Sequence, residues 1–213
     1  MYQLYIKRLV DILLSFLGLI MLMPLLLIIA VMIKLDSKGP VLFKQTRIGR
    51  NKTSFCILKF RTMRNETPKD IPTHLMTQPE EYITRAGFLL RKTSLDELPQ
   101  LWNILVGHMS IVGPRPALWN QYDLIEARDK YGANHIRPGL TGWAQINGRD
   151  AIEIEEKARF DGDYAKRIRP RMDCTCFIGS ISVVLRREGF IEGGTGLLSL
   201  QKDLLGAKVA EHK

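Results

Sequence analysis

Residues 12–33 carry no charged side chain. Coiled as one helix, these 22 residues would extend about 33 Å, the thickness of a bilayer's hydrocarbon core. Pro24 interrupts the run near its middle. A proline inside a helix removes one backbone hydrogen bond and clashes with the carbonyl four residues earlier, so a bend is predicted there. The run is too long for the apolar part of a cleaved signal peptide, and no small-residue cleavage site precedes the next charges. Further on the pattern changes. Residues 41–45 and 55–60 are rich in strand formers and flank a segment containing Gly49 and Asn51, which predicts a small β-hairpin. Residues 64–80 are polar and hold Pro68, Pro72 and Pro79, the signature of a mobile loop. A short helix is expected over 82–90. Leu98, Leu101, Trp102 and Leu105 follow the i, i+3, i+4, i+7 spacing of one apolar helical face. Pro99 is tolerable only in a first turn, so that helix is expected to start within 94–98. Residues 150–173 read as a charged helix face, in which one acid could hold a metal. Residues 174–185 are apolar, too short to span a bilayer and followed by Arg186-Arg187, which suits a helix lying at a membrane interface. No internal repeat is visible. The fold class is mixed α/β, helix-rich with a small β-hairpin. Three segments are expected: a membrane helix pair over 1–36, a larger domain over 37–190 and a polar tail over 191–213.

Charge sharpens the reading of the apolar run. The chain carries a net charge of +9, and residues 1–60 hold nine Lys and Arg against two Asp. A basic collar around an apolar segment suits anionic lipid headgroups. Lys7 and Arg8 precede the run, and Lys34, Lys38, Lys44 and Arg47 follow it. Basic flanks belong on the cytoplasmic side, so two such flanks point to a re-entrant helix-break-helix whose ends both stay cytoplasmic. A single bitopic span is the competing topology. No helix-turn-helix, zinc-finger or RNP-like pattern accompanies the positive charge, and nucleic acid is not an expected partner. Cys56, Cys174 and Cys176 fit neither a disulfide framework nor a zinc site, and read as reduced, structural thiols.

The chemistry concentrates in Ser94-Leu95-Asp96-Glu97-Leu98-Pro99-Gln100-Leu101-Trp102. Two readings of its acids stand side by side. Ser94 with Glu97 has capping-box spacing, and acids favour helix starts generally. Alternatively, Asp96 and Glu97 serve a phosphate site. Val112-Gly113-Pro114-Arg115-Pro116 supports the second reading, because flanking prolines hold Arg115 for bidentate phosphate recognition. Residues 137–149 add three glycines and two arginines, and glycines let backbone N–H groups approach an anion. Arg91, Arg115, Arg137 and Arg149 are thus expected around one acid pair. A non-catalytic membrane-anchored scaffold is the alternative from another class.

Lys59-Phe60-Arg61-Thr62-Met63, the Ser94–Gln100 run, Gly113-Pro114-Arg115-Pro116 and Arg137-Pro138-Gly139-Leu140-Thr141-Gly142 occur in this order. In this the chain resembles the bacterial sugar transferases, specifically the small monotopic phosphoglycosyl transferases, over about residues 1–190. The resemblance implies transfer of a phospho-sugar from a UDP-sugar to polyprenol (undecaprenyl) phosphate, with release of UMP. It implies an Asp96–Glu97 catalytic pair working with Mg²⁺, both carboxylates being metal ligands, and a covalent phospho-sugar on Asp96. Lys59, Arg91, Arg115, Arg137, Gly139, Thr141, Gln145, Arg149 and Asp161 become candidates for substrate and phosphate binding. The family's broken N-terminal helix corresponds to Pro24 here, with Met23 in place of the usual serine. The implied setting is the cytoplasmic face of a bacterial inner membrane, at the first membrane step of capsule, exopolysaccharide or glycoprotein glycan assembly. Membrane lipid is an expected partner, and a homodimer is among the expected assemblies.

Overall fold

The uncharged N-terminal run folds as two helices rather than one. A computed structural model describes residues 1–67, 79–148 and 152–186. Most of the expected 64–80 loop, Arg149 and the expected 191–213 tail lie outside these. After a wide turn over Tyr2–Ile6, α1 covers Lys7–Met21 and α2 covers Met23–Asp36, meeting at a 61° bend. Pro24 sits in the first turn of α2, where its missing N–H costs no helical bond. At 15 and 14 residues the helices are about 22 and 21 Å long. No single helix among the described residues is long and apolar enough to cross a membrane.

α1 is inverted relative to a helix of a water-soluble core. Its buried residues are Lys7, Asp11 and Ser15, one stripe at four-residue spacing, while Leu9, Leu13, Leu14, Phe16 and Leu17 are exposed. Each polar group has a fixed partner. Lys7 Nζ meets Asp173 Oδ2 at 2.8 Å, Asp11 Oδ1 accepts from the Ile111 amide at 3.0 Å, and Ser15 Oγ donates to Ile12 O at 3.1 Å.

The predicted hairpin is present. β1 (Leu42–Ile48) pairs antiparallel with β2 (Ser54–Phe60), Leu42 opposite Phe60 and Ile48 opposite Ser54. Phe55, Ile57 and Phe60 turn into the core. The expected short helix appears as α3 (Arg85–Thr93). Ser94 then adopts left-handed φ 57° and closes α3. It also precedes the next turn, but its side chain makes no capping bond there. A 3₁₀ turn over Leu95–Glu97 follows, and α4 runs only Gln100–Val106, with Pro99 as its N-cap. The start expected at 94–98 is corrected accordingly. So is the apolar face: Trp102 is half exposed, whereas Gln100, Asn103 and Ile104 are buried. Asn103 is buried because it mimics a strand edge. Its amide accepts from Leu58 N at 2.9 Å and donates to Cys56 O at 2.8 Å, fastening α4 to β2.

β3 (Ser110–Val112) pairs in parallel with β4 (Gly139–Thr141), with α5 (Tyr122–Tyr131) between them in sequence. α6 (Trp143–Ile146), α7 (Ile154–Lys166) and α8 (Pro170–Arg186) follow. Phe177, Ile178 and Ile181 of α8 are exposed. One core joins Phe55, Ile57, Ile104, Met109, Ile111, Val112, Tyr164 and Cys176, and a second joins Ile29, Ile33, Phe60 and Leu90. The glycines of the Pro-rich and Gly-rich segments pack backbone on backbone. A Cβ on Gly139 would lie 2.1 Å from Gly113 N, and one on Gly142 would lie 2.1 Å from Gly113 O. Their smallness lets chain approach chain rather than an anion. Gly139→Ala is therefore expected to destabilise the fold by about 3 kcal/mol or more, since backbone cannot yield as a side chain does; thermal unfolding of the purified variant measures this.

Candidate active site

The 3₁₀ turn carrying Asp96 and Glu97 lies against β2 and the Pro-rich loop after β3. Glu97 Oε1 receives Lys59 Nζ at 2.7 Å and Arg115 Nη2 at 2.9 Å. Its side chain is 17% exposed. The acid thus makes ion pairs across the fold and not the capping-box bond to the Ser94 amide. Asp96, its neighbour, has no hydrogen bond among the described residues. Its surroundings differ electrically from those of Glu97. Burial raises the Asp96 carboxyl and the Glu97 charge adds to this, against Lys59, Arg91 and Arg115. Burial also opposes ionisation of Glu97, but Arg115 and Lys59, by charge and hydrogen bond, hold it well below the usual carboxylate range. Adjacent acids with oppositely displaced pKa values are equipped for different work.

Arg115 is held more firmly than two prolines alone would manage. Its carbonyl accepts from Arg128 Nη2 at 3.0 Å, and Arg128 is anchored by Asp161 Oδ2 at 2.6 Å in a pair 4% and 1% exposed. The neighbouring carbonyls are also engaged. Gly139 N donates to Pro114 O, Arg47 Nη1 to Pro116 O, and Ile48 N to Ala117 O. Arg47 of β1, lowered to about 10 by burial and by Arg115, reaches across to this loop. It stays charged at neutral pH.

The structure gathers Lys59, Arg91, Arg115, Asp96 and Glu97. It places the other candidates elsewhere. Asp161 is buried behind Arg115 and acts through Arg128. Thr141 Oγ1 is bonded to Ser180 Oγ of α8. Gln145, beside Gly142, is enclosed, with both amide atoms unpartnered among the described residues. Gly139 serves the β3–β4 packing. Arg137 is not beside the acid pair; its Nε donates to Gly107 O at 3.0 Å, and its charged neighbours are Arg8, Arg50 and Asp11. Sequence reasoning missed Arg47, Asn103 and Arg128. Only Asn103 left a signal, as a polar residue with Gln100 at i, i+3 in an otherwise apolar helix. No cluster of three or more potential ligands among His, Cys, Asp and Glu occurs among the described residues. A hard cation that completes its shell with water and substrate oxygens needs only one or two carboxylates.

The chain matches the bacterial sugar transferase family over residues 2–187. It is 41% identical over 201 residues to the exopolysaccharide production protein PSS of Rhizobium leguminosarum bv. phaseoli, covering 88% of this chain and 100% of that one. It is 42% identical over 168 residues to the UDP-glucose:undecaprenyl-phosphate glucose-1-phosphate transferase of Escherichia coli K12, covering 76% of this chain and 36% of that one. The undecaprenyl-phosphate glucose phosphotransferase of Komagataeibacter xylinus is 46% identical over 147 residues, covering 67% and 28%. The chain therefore spans about a third of the length of the two named transferases.

The electrostatics set a titration order. As pH falls, Asp96 takes up a proton before Glu97. Because Lys59 lowers both groups, Lys59→Met is expected to move both titrations to higher pH. Carbon-13 NMR of labelled Asp and Glu carboxyls reads this, and unchanged titrations would contradict the arrangement.

Proposed function

The chain belongs to the bacterial sugar transferase family, and from that premise we propose that it transfers a phospho-sugar from a UDP-sugar to undecaprenyl phosphate in exopolysaccharide assembly. The observation that carries this reading is the pairing of a raised Asp96, with no hydrogen bond among the described residues, and a Glu97 pinned by Lys59 and Arg115. Ionised Asp96 attacks the sugar-bearing phosphorus of the donor. An Asp96 Oδ–phosphorus bond forms, the bond from that phosphorus to the bridging diphosphate oxygen breaks, and UMP leaves. A phosphate oxygen of undecaprenyl phosphate then attacks the same phosphorus and releases the Asp96 carboxylate. Lys59, Arg91 and Arg115 offset the charge gathered on the transferring group. Glu97, held ionised and oriented, keeps Lys59 and Arg115 in place. Mg²⁺, with Asp96 and Glu97 as its carboxylates, would neutralise the diphosphate and ease departure of UMP. UDP-glucose is the donor to try first, since two relatives carry glucose transferase names.

Lipid solvation explains α1. A helix with polar residues inward and leucines outward is at home where its surroundings are apolar. With both flanks basic, the bent α1–α2 pair enters the cytoplasmic leaflet and returns. The chain then lies on the inner face of the bacterial inner membrane, with exposed apolar residues of α8 at the interface.

Asp96→Asn is expected to lower UMP release from UDP-glucose by at least about 10³-fold, since an amide is no usable nucleophile. Wild-type protein given donor without acceptor is expected to gain the mass of one phospho-sugar. Normal turnover by the folded variant would remove Asp96 from the nucleophile role. Absence of UMP release from every UDP-sugar tried would favour a scaffold instead. For topology, cysteines placed at residues 3 and 38 are expected to be labelled from the same, cytoplasmic side; labelling from opposite sides would establish a bitopic span.

A further inference from the structure

Arg137 lines a cavity of about 100 Å³, bordered by the N-terminal turns of α1, Ser110 of β3 and the segment before β4. That volume is well above the roughly 10–15 Å³ a single water needs. Four cations border it, Lys7, Arg8, Arg50 and Arg137, against one carboxylate, Asp11. Two of the cations are already committed. Lys7 pairs with Asp173, and Arg8 directs both terminal nitrogens to the Ile104 and Leu105 carbonyls. The other two are held differently. Arg50 donates through Nε to His135 O at 3.1 Å, and Arg137 through Nε to Gly107 O at 3.0 Å. Each guanidinium is thereby oriented while its terminal nitrogens have no partner among the described residues. Ser110, 1% exposed, adds a hydroxyl that also has no partner among them. The cations repel one another. Burial and the charges of Arg8 and Arg50 lower the Arg137 guanidinium. A buried donor without an acceptor among the described residues, beside an excess of positive charge, calls for an anion.

We propose that this cavity is a binding site for a phosphate-class anion, separate from the acid pair, with the guanidinium ends of Arg50 and Arg137 and the Ser110 hydroxyl as its donors. Two sources offer this chemistry: a free phosphate, or the phosphate of a lipid headgroup. The second is near at hand in space, because Tyr5, Ile6, Leu9 and Val10 on the adjoining turns are exposed.

The test uses the full chain, titrated with inorganic phosphate in detergent and, in parallel, placed in nanodiscs of phosphatidylglycerol or phosphatidylcholine, with thermal unfolding as the readout. A saturable rise in Tm is expected from phosphate, from phosphatidylglycerol over phosphatidylcholine, or from both. Response to phosphate assigns a free anion; response to phosphatidylglycerol alone assigns a headgroup. Ser110→Ala removes an unpartnered group, so its Tm without ligand is expected to equal or exceed that of the wild type. The same change is expected to weaken the anion response about tenfold, as is Arg50→Gln at an exposed position. No response to any probe would overturn the proposal. So would a response that both variants retain in full, or one lost only in Arg115→Gln, which would assign the anion to the acid pair's site.

Discussion

A carboxylate taken out of water must be matched by positive charge, and Glu97 meets that demand with two cations on one oxygen. Lys59 lies 38 residues before it and Arg115 lies 18 after. Bringing the three together requires the hairpin, the acid turn and the Pro-rich loop to converge. Much of the polar architecture serves that convergence. Asn103 fastens α4 to β2 and so sets the acid turn against Lys59. Asp161 holds Arg128, Arg128 holds the Arg115 carbonyl, and Arg47 holds the next one. Asp96 is left as the acid with no hydrogen bond among the described residues, in a place where burial makes ionisation costly.

The same logic runs through α1 with the surroundings exchanged. Its buried stripe is polar because the groups it meets are polar: the Asp173 carboxylate and the Ile111 amide. Its outer surface is apolar, with Leu9, Leu13, Leu14, Phe16 and Leu17 uncovered among the described residues. A Cβ on Gly18 would meet Leu101 at 3.3 Å, so α1 and α4 run in close contact. α4 in turn begins where the acid turn ends. The helix that would sit in lipid and the pair that would do the chemistry are thus joined through one short element.

Some of this was legible in the residues. Runs of strand formers around a Gly/Asn loop marked the hairpin, and that loop holds Asn51 and Lys52 at positive φ. Pro24 marked the bend, since no arrangement keeps a proline inside an unbroken helix without loss. The capping-box reading of Ser94 and Glu97 had the right spacing and the wrong partner. Ser94 was needed one element earlier, to close α3. The glycines of 137–149 looked like an anion cradle, yet Gly139 and Gly142 let β4 and its turn pass against Gly113.

The division follows the range of the physics. Backbone stereochemistry acts over a few residues, so bends, strands, turns and the adjacency of Asp96 and Glu97 are written in the chain. Charge pairing and close packing act through space. Which arginine reaches the acids is settled when β1, β2 and the 112–118 loop close on one another. Arg115 arrives there and Arg137 faces a different cavity, although both sit in proline-containing basic motifs of similar appearance. A guanidinium is directed by the acceptor that holds it, the Glu97 carboxylate for Arg115 and the Gly107 carbonyl for Arg137, and those acceptors come from elements distant in sequence.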